Sequence, residues 1–394
     1  MSETDHGRKN IAVIFGGCSP EYEISLQSAS AIVENLDREK YEPILVGISK
    51  EGKWFLYRGS VENIRQDKWL TSVSDTDAAA GENTGICLPA IIPPDRGDRR
   101  LLVFDSSSGT VTERIYLDAA LPVLHGKNGE DGSVQGLLAL ADIPVAGCGI
   151  TSSALCMDKN LAHQLAASCG IQVPRSLMLK GPLEDHIDRL TVFVIETGLP
   201  VFVKPVKAGS SLGITKVTSI GDLPSAIETA FIYDDEVIIE ECIDGFEVGC
   251  AIVGEHHLTV GEPDEICLDC HPQATGNFFD YVEKYTLDHS TIYVPARVSV
   301  EMSRKIRRTA VNIYRALGCS GFARVDMFLT PSGKLVFNEV NTIPGFTQHS
   351  RFPAMMKAAG IDFGPLLDMI LSQALEKDST AGHSGGSFTL QEVM

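Results

Sequence analysis

Two carboxylates and an amide near the carboxyl end of the chain have the types and the spacing of a site for a hard metal ion. Glu339 and Asn341 are two residues apart on a predicted strand, so their side chains leave the same face. A predicted turn at residues 330–333 has Pro and Gly where a type I turn takes them. Tight pairing across this turn sets Arg324 opposite Glu339 and brings Asp326 to the same face, although a bulge would shift the register. Such oxygen donors suit Mg²⁺; the alternative is a solvated charged face.

A Gly/Ser-rich loop in the middle of the chain follows a lysine. Residues 209–213 read Gly-Ser-Ser-Leu-Gly and come a few residues after Lys204. Backbone N–H groups of such a loop can fold over phosphate oxygens while the lysine supplies positive charge. The Gly-Lys-Ser/Thr ending of a Walker A loop is absent, and a purely structural hairpin tip remains the alternative.

Two further polar segments each lie between a predicted strand and a predicted helix. Residues 125–132 contain one histidine, three glycines and three other charged residues, and residues 16–23 read Gly-Gly-Cys-Ser-Pro-Glu-Tyr-Glu. In an open α/β sheet, ligands bind at the carboxyl ends of strands. The alternatives are a loop histidine with local partners for the first segment and a helix cap with acidic first-turn residues for the second.

The composition limits the class of ligand and partner. The 394 residues carry 52 acidic and 33 basic side chains, a net charge of −19, which repels nucleic acid and anionic lipid surfaces. An anionic ligand therefore requires lysines and arginines gathered locally. The polar amino terminus lacks the pattern of a secretory signal, and no window is apolar enough to span a bilayer, so we expect a cytoplasmic protein.

One cysteine cluster offers competing interpretations. Cys267, Cys270 and His271 match the C-x-x-C-H pattern of covalent haem attachment, and with His256 or His257 they could bind zinc. Haem attachment of this kind needs export, and a second ligand pair at zinc-finger spacing is missing. The sequence favours a loop with two reduced thiols.

The elements that must position these residues follow an α/β pattern in three units. The first, residues 1–150, has strands at 10–15, 41–48, 119–124 and 144–146, helices at 25–36 and 132–141, and a polar loop at 71–85; its β-α-β order predicts parallel pairing. The second, residues 151–242, has helices at 152–169 and 223–231 and strands at 201–205, 214–217 and 237–241. The third, residues 243–378, has a helix at 301–317 and strands at 321–329 and 334–340; the tail at 379–394 is predicted to be disordered.

Taken together, these segments resemble the D-alanine:D-alanine ligase family of ATP-grasp enzymes, in family order from about residue 10 to residue 375. The matching segments are Gly16-Gly17 to Glu23, the run from His125 to Gly132, Met157-Asp158-Lys159, Val203-Lys204-Pro205 with Gly209-Ser210-Ser211, Glu283-Lys284-Tyr285, Arg324-Val325-Asp326, and Asn338-Glu339-Val340-Asn341-Thr342 with Pro344-Gly345. The resemblance implies an α/β fold of the ATP-grasp type, with three α/β domains and ATP between the second and third. It also implies that ATP phosphorylates a first D-alanine, whose acyl phosphate is attacked by the amine of a second amino acid.

The resemblance assigns a role to each matching residue. It implies that Asp326, Glu339 and Asn341 bind two Mg²⁺ ions, for which Mn²⁺ can substitute. On the ATP side it places Lys159, Lys204, Ser211, Glu240, Glu241 and Glu247. Among the catalytic residues it counts Glu21, which holds the first D-alanine, together with Ser210, Tyr285, Lys284, Arg324 and the N–H of Gly345. His125 and Ser350 match groups on the substrate side.

Departures from the family pattern point to the second substrate. Arg351 stands where D-alanine:D-alanine ligases usually carry an apolar residue. Phe279 replaces a usual tyrosine in the loop that covers the site in this family, and acidic Asp264 precedes that loop. This combination resembles the D-alanine:D-serine ligases of vancomycin-resistance systems, since an arginine can donate to a hydroxyl. Tyr285 speaks against the D-lactate branch, and Ala208 stands where many members have a glutamate. A surface arginine facing water is the alternative for Arg351.

The resemblance therefore implies a ligase that joins D-alanine to D-serine for peptidoglycan precursors, with a D-alanine:D-alanine ligase as the alternative. It also implies a homodimer, because the family is usually dimeric. D-alanine and D-serine are the expected partners, without nucleic acid or membrane. Two rival functions stay open: a nucleotide-binding regulator that has lost turnover, and an ATP-grasp ligase for unrelated acids.

Overall fold

A computed structural model describes residues 7–70, 86–268 and 290–381 of the chain. The helices are, in chain order, α1 (Tyr22–Asn35), α2 (Val61–Arg65), α3 (Ser133–Leu140), α4 (Ile150–Met157), α5 (Lys159–Ser168), α6 (Ile187–Thr197), α7 (Leu223–Phe231), α8 (Val300–Ala316), α9 (Arg351–Ala358) and α10 (Phe363–Ala381). Three separate β-sheets divide the described chain in the same order as the three predicted units.

The first sheet has a parallel centre with an antiparallel extension. Its strands are β1 (Lys9–Gly16), β2 (Tyr41–Ile48), β3 (Trp54–Tyr57), β4 (Cys87–Ile91), β5 (Arg100–Phe104), β6 (Val111–Tyr116) and β7 (Ala119–Pro122). They are ordered β6-β5-β4-β3-β2-β1-β7, and β1 pairs in parallel with both β2 and β7. The predicted parallel pairing is confirmed. The strand predicted at 144–146 is reduced to one bridge between Val145 and Ala120.

The second sheet is antiparallel and carries the Gly/Ser-rich loop. Its strands are β8 (Ser176–Lys180), β9 (Val201–Pro205), β10 (Thr215–Val217) and β11 (Glu236–Glu241), ordered β10-β9-β11-β8. Helices α6 and α7 bury their apolar faces against it. The loop at 209–213 lies in the connection between the paired strands β9 and β10.

The third sheet holds the metal-binding candidates. Its strands are β12 (Phe246–Gly254), β13 (Leu258–Val260), β14 (Asp264–Leu268), β15 (Ser290–Tyr293), β16 (Phe322–Leu329) and β17 (Leu335–Asn341). The order is β15-β14-β12-β16-β17, with β13 paired to β12. Cys267 lies in β14, so the prediction that it belongs to a loop is wrong.

The register predicted for β16 and β17 is also wrong. Arg324 pairs with Asn341 and Asp326 pairs with Glu339, because the turn is one residue longer than predicted and a bulge lies between Asp326 and Met327. Each one-residue shift exchanges the two faces of a strand, so two shifts restore the original face. The prediction that all four polar side chains share one face is confirmed.

The single helix predicted at 152–169 is two helices. Asp158 has an extended backbone, and its side chain accepts the N–H of Leu161 at 2.9 Å, which ends α4 and begins α5. Buried residues of both helices pack in the apolar core of the third sheet. The amino-terminal part of the predicted second unit therefore packs with the third.

The carboxyl-terminal helix packs back onto the first unit. Buried residues of α10 share a core with β1, α1 and the aromatic cluster of Phe346 and Phe352. Tyr41 Oη and Lys40 Nζ donate to Asp368 at 2.6 Å and 2.8 Å. Helix α10 continues to Ala381, the residue before the first glycine of the predicted tail.

Several predicted features lie outside the described residues. They are the loop at 71–85, the tail at 382–394, and Cys270, His271, Phe279, Lys284 and Tyr285. Within the described ranges, no helix combines the length and apolarity that crossing a bilayer requires.

Candidate active site

The four polar residues of β16 and β17 form a buried, hydrogen-bonded cluster. Arg324 Nε lies 2.9 Å and 3.0 Å from the two carboxylate oxygens of Asp326, and Nη2 donates to Oδ2 at 2.7 Å. Asn341 Nδ2 donates to Asp326 Oδ2 at 3.0 Å and lies 3.4 Å from Glu339 Oε1. Asp326 is 1% exposed and Arg324 5%, so the alternative of a solvated charged face is wrong.

Arg351, at the start of α9, joins this cluster through three carboxylates. Its Nε and Nη2 donate to Asp264 at 2.6 Å and 2.9 Å, Nη1 donates to Glu247 at 2.7 Å, and Nη2 lies 3.3 Å from Asp326 Oδ1. Burial opposes the charge, but Asp264 and Asp326 raise the pKa of Arg351 well above its usual value. Arg351 is 7% exposed, so the alternative of a surface arginine is wrong.

A glycine that sequence reasoning missed makes this convergence of charges possible. Gly249 on β12 pairs with Asp264 on one side and with Asp326 on the other, so the three residues form a row across the sheet. A Cβ on Gly249 would lie 2.5 Å from Arg351 Nη2, 2.7 Å from Asp264 Oδ1 and 2.8 Å from Asp326 Oδ1. The Gly249 N–H donates to Asp264 Oδ1 at 2.8 Å. Only the order of the strands reveals this role, so no local pattern in the sequence predicts it.

A cavity of about 400 Å³ separates the second sheet from the third. All six residues predicted on the ATP side line it: Lys159, Lys204, Ser211, Glu240, Glu241 and Glu247. Apolar walls come from Phe202, Ile243, Phe246, Ile266 and Phe328, and Glu339 of the metal-binding candidates also lines the cavity. Flat apolar walls beside lysines suit a ligand with an aromatic ring and phosphates.

Lys204 and Glu240 form a buried pair in this cavity, with a separation of 2.6 Å between Nζ and Oε2. Burial alone would raise the pKa of Glu240, but the charges of Lys204 and the adjoining His163 hold that pKa below its usual value. Among the described residues, no donor is hydrogen-bonded to Glu240 Oε1. A buried acceptor without a donor fits a ligand that brings an N–H, as the amino group of adenine does.

Lys159 lies at the start of α5 and reaches the Gly/Ser-rich loop. Its Nζ donates to the backbone oxygen of Ala208 at 2.7 Å. A backbone oxygen is present whatever the side chain, so the family's usual glutamate at this position is not needed for the contact. Ser210 and Ser211 follow with φ of 49° and 57°, the left-handed conformation that non-glycine residues rarely adopt. The loop therefore both connects the hairpin and lines the cavity.

Glu21 joins the first domain to this loop. It occupies the N-cap position of α1 without a capping side-chain bond, and its carboxylate accepts a hydrogen bond from Ser210 Oγ instead. A Cβ on Gly126 or on Gly209 would lie 2.6 Å or 2.8 Å from Glu21 Oε2. Gly126 of the first unit and Gly209 of the second unit thus allow the backbone to approach this carboxylate closely.

Glu130 is a half-buried acid that was not among the predicted site residues, although its segment was recognised. Its carboxylate accepts the N–H of Gly126 at 2.7 Å and the N–H of Ile343 at 3.3 Å. Burial and the neighbouring carboxylates of Glu21 and Glu339 raise the pKa of Glu130 to about 8. The first unit therefore contacts the chain just beyond the metal-binding candidates.

His125 and Ser350 lie beside the loop that follows β17. His125 is buried, and its Nδ1 lies 2.9 Å from Ile343 O. Ser350 Oγ accepts the N–H of Thr347 at 3.0 Å and would lie 3.1 Å from a Cβ on Gly345. The structure thus brings these predicted residues to one loop, while Phe279, Lys284 and Tyr285 lie outside the described residues.

The chemistry of the donors fits magnesium. Asp326, Glu339 and Asn341 offer carboxylate and amide oxygens on one face, and Glu339 also borders the cavity that suits a nucleotide. Asp326, Glu339 and Asn341 would therefore hold Mg²⁺ beside phosphates bound in that cavity.

Comparison with known proteins assigns both halves of the chain. The family model described as "D-ala D-ala ligase N-terminus" matches residues 10–148, and that described as "D-ala D-ala ligase C-terminus" matches residues 165–372.

The similar proteins include a vancomycin-resistance protein, a D-alanine–D-alanine ligase and a D-Ala:D-Ser ligase. The vancomycin C-type resistance protein VanC1 of Enterococcus gallinarum is 42% identical, over 93% of this chain and 99% of its own. A D-alanine–D-alanine ligase of Caldicellulosiruptor bescii is 41% identical, over 93% of this chain and 95% of its own. The crystal structure of the VanG D-Ala:D-Ser ligase from Enterococcus faecalis matches with a TM-score of 0.81 and 48% identity, over 93% of this chain and 100% of that one.

Proposed function

The chain belongs to the D-alanine–D-alanine ligase family, an ATP-grasp family of cell-wall precursor synthesis and vancomycin resistance, and within that family we propose that it joins D-alanine to D-serine. In the reaction, the carboxylate of the first D-alanine attacks the γ-phosphorus of ATP, and ADP leaves. The amine of D-serine then attacks the acyl carbon. The tetrahedral oxyanion collapses with loss of phosphate, and the amine loses a proton. Each step places negative charge where this chain has cations or N–H donors.

The residues of this chain divide the work by domain. Glu21 of the first domain holds the ammonium of the first D-alanine, while Lys159 and Lys204 of the ATP cavity bind phosphate oxygens. Arg324 and the Gly345 N–H donate to the oxyanion, a contribution worth ~3 kcal/mol per donor. Asp326, Glu339 and Asn341 would hold two Mg²⁺ ions, which neutralise charge on the phosphates when bound.

The observation that carries the choice of D-serine is the pairing of Arg351 with Asp264 in the buried cluster. Among the described residues, the hydrogen bonds and ion pair of Arg351 leave one Nη1 N–H without an acceptor. A hydroxyl can accept that N–H, whereas the methyl group of D-alanine cannot. An apolar substrate would leave this buried donor unpaired, which costs about 1–3 kcal/mol, or roughly tenfold to a hundredfold in preference.

The experiment is a competition between D-serine and D-alanine as second substrate. Purified enzyme receives ATP, Mg²⁺, D-alanine and a graded ratio of D-serine, and the two dipeptides are separated by mass. We expect D-alanyl-D-serine to dominate by at least tenfold in relative kcat/KM. A product that is mainly D-alanyl-D-alanine would support the alternative ligase. ATP binding without phosphate release for either amino acid would support the regulator instead.

Arg351→Leu tests the residue behind that preference. The variant is expected to shift relative kcat/KM from D-serine towards D-alanine by tenfold or more, because the unpaired donor is gone. Arg297→Leu, at a half-exposed arginine that pairs with Glu265 next to Asp264, is the matched control and should keep the wild-type ratio. An unchanged ratio in Arg351→Leu would remove Arg351 from the proposal. The proposed homodimer, which the family resemblance implies, is tested separately by light scattering.

A further inference from the structure

The first domain holds both polar backbone atoms of Ile343, which lies two residues beyond Asn341. Glu130 Oε1 accepts the Ile343 N–H at 3.3 Å, and His125 Nδ1 lies 2.9 Å from the Ile343 oxygen. A carbonyl oxygen only accepts hydrogen bonds, so Nδ1 carries the imidazole proton in this contact. Both contacts come from one loop of the first domain, and together they hold the two peptide units on either side of the Ile343 Cα.

A third residue of the first domain holds the other end of the same loop. The Phe346 N–H donates to Ser28 Oγ at 3.1 Å, and Ser28 lies on α1 with no exposed surface. Ser28 Oγ is also 3.5 Å from His125 Nε2, which can accept the hydroxyl proton when Nδ1 carries the ring proton. The ring of Phe346 packs against Phe322 and Phe352 of the third domain. The loop is therefore anchored by both domains.

Between these anchors lie Pro344 and Gly345. We propose that Ser28, His125 and Glu130 are positioning residues that set the Gly345 N–H for the tetrahedral oxyanion. The inference rests on the proposed function, in which Gly345 is such a donor. A donor acts only when it lies within hydrogen-bonding distance of the place where charge develops, so a small displacement of this loop weakens it. The domain that binds the first D-alanine through Glu21 thereby also places the donor that serves its carbonyl.

Ser28→Ala and Ser30→Ala form a matched pair for the test. Both serines lie on α1 with no exposed surface, but Ser30 Oγ donates to Leu26 O at 2.8 Å within the helix. Ser28→Ala is expected to lower kcat about tenfold while the Kd for ATP and the melting temperature stay near those of Ser30→Ala. Ser30→Ala should keep kcat within twofold of wild type.

A dipeptide phosphinate, which is tetrahedral and anionic at phosphorus, gives a readout that a merely structural defect would not move. If the loop positions the oxyanion donor, Ser28→Ala weakens phosphinate binding by about the same factor as kcat. Equal losses in Ser28→Ala and Ser30→Ala, or a kcat loss without weaker phosphinate binding, would overturn the inference.

Glu130→Gln is the second variant and covers the case in which Ser28→Ala does not fold. Its amide keeps one acceptor oxygen but turns an N–H₂ group towards one of the two N–H donors, so we expect a similar loss of kcat. Asp131→Asn is its control, since Asp131 accepts only N–H groups of Asn128 and Ser133 among the described residues. Wild-type kcat and phosphinate affinity in Glu130→Gln would also overturn the inference. Wild-type enzyme that makes no dipeptide would refute the proposed function instead.

Discussion

Replacing Arg351 with leucine is expected to lower the free energy of unfolding by about 3–5 kcal/mol, because it orphans a buried charge. Asp264 has no exposed surface. Among the described residues, its remaining donor after the change is the Gly249 N–H. Glu247 and Asp326 also lose a cationic neighbour. Lost electrostatic balance, rather than lost packing, accounts for most of this cost.

A double-mutant cycle can separate the electrostatic cost of Arg351→Leu from its packing cost. In Arg351→Leu with Asp264→Asn, the orphaned charge is gone, and the asparagine oxygen can still accept the Gly249 N–H. The double variant is therefore expected to regain about 2 kcal/mol relative to Arg351→Leu alone. The recovery is partial because Glu247 and Asp326 still lack their partner. Urea unfolding followed by circular dichroism measures all three variants against wild type.

A neighbouring ion pair supplies the control for this cycle. Glu265 follows Asp264 on β14, and its carboxylate pairs with Arg297 at 2.6 Å, but the Arg297 side chain is 50% exposed. Water replaces a partner at such a site, so Arg297→Leu should cost no more than about 1 kcal/mol. Simple addition of the Arg351 and Asp264 costs in the double variant would refute the reasoning, since it would mean that the two charges do not depend on each other.

Two further predictions follow from burial. Gly249→Ala should cost about 1–3 kcal/mol and lower the preference for D-serine, since the new Cβ would lie 2.5 Å from Arg351 Nη2; Gly136→Ala, with nothing within 4 Å, is the control and should not destabilise α3 in urea unfolding. Alkylation at pH 8, read by peptide mapping, should modify the exposed thiols of Cys18 and Cys169 rapidly. Burial raises the pKa of Cys87 to about 12, so this thiol should stay unmodified until the protein unfolds. Equal rates of alkylation at the three cysteines would contradict the fold.

The face that carries the metal-binding candidates could be predicted from the sequence although its register could not. Period-two alternation along β17 is a local property, and it puts Glu339 and Asn341 together whatever strand lies opposite. The register depends on the length of the turn and on a bulge, and the alternation of side chains along a strand reveals neither of them. The turn and the bulge each shifted the register by one residue. Because a strand has only two faces, the two shifts cancelled, and Asp326 lies on the predicted face.

The partners of Arg351 could not be predicted, because they come together only through the order of the third sheet. Asp264, Gly249 and Asp326 lie on three strands, and no local pattern says that β12 runs between β14 and β16. The residues on the ATP side were predicted from the family resemblance, and all six of them line one cavity.

The row of Asp264, Gly249 and Asp326 also explains why Arg351 depends on residues elsewhere in the chain. A guanidinium at an otherwise apolar position would be a buried charge without a partner unless an acid faces it. Here Asp264 provides that acid, and Gly249 leaves the space that its carboxylate and Arg351 Nη2 share. The specificity that we propose for Arg351 would therefore depend on three positions, on two strands and a helix. An arginine placed alone in a D-alanine:D-alanine ligase would bring the desolvation cost without the partners that offset it.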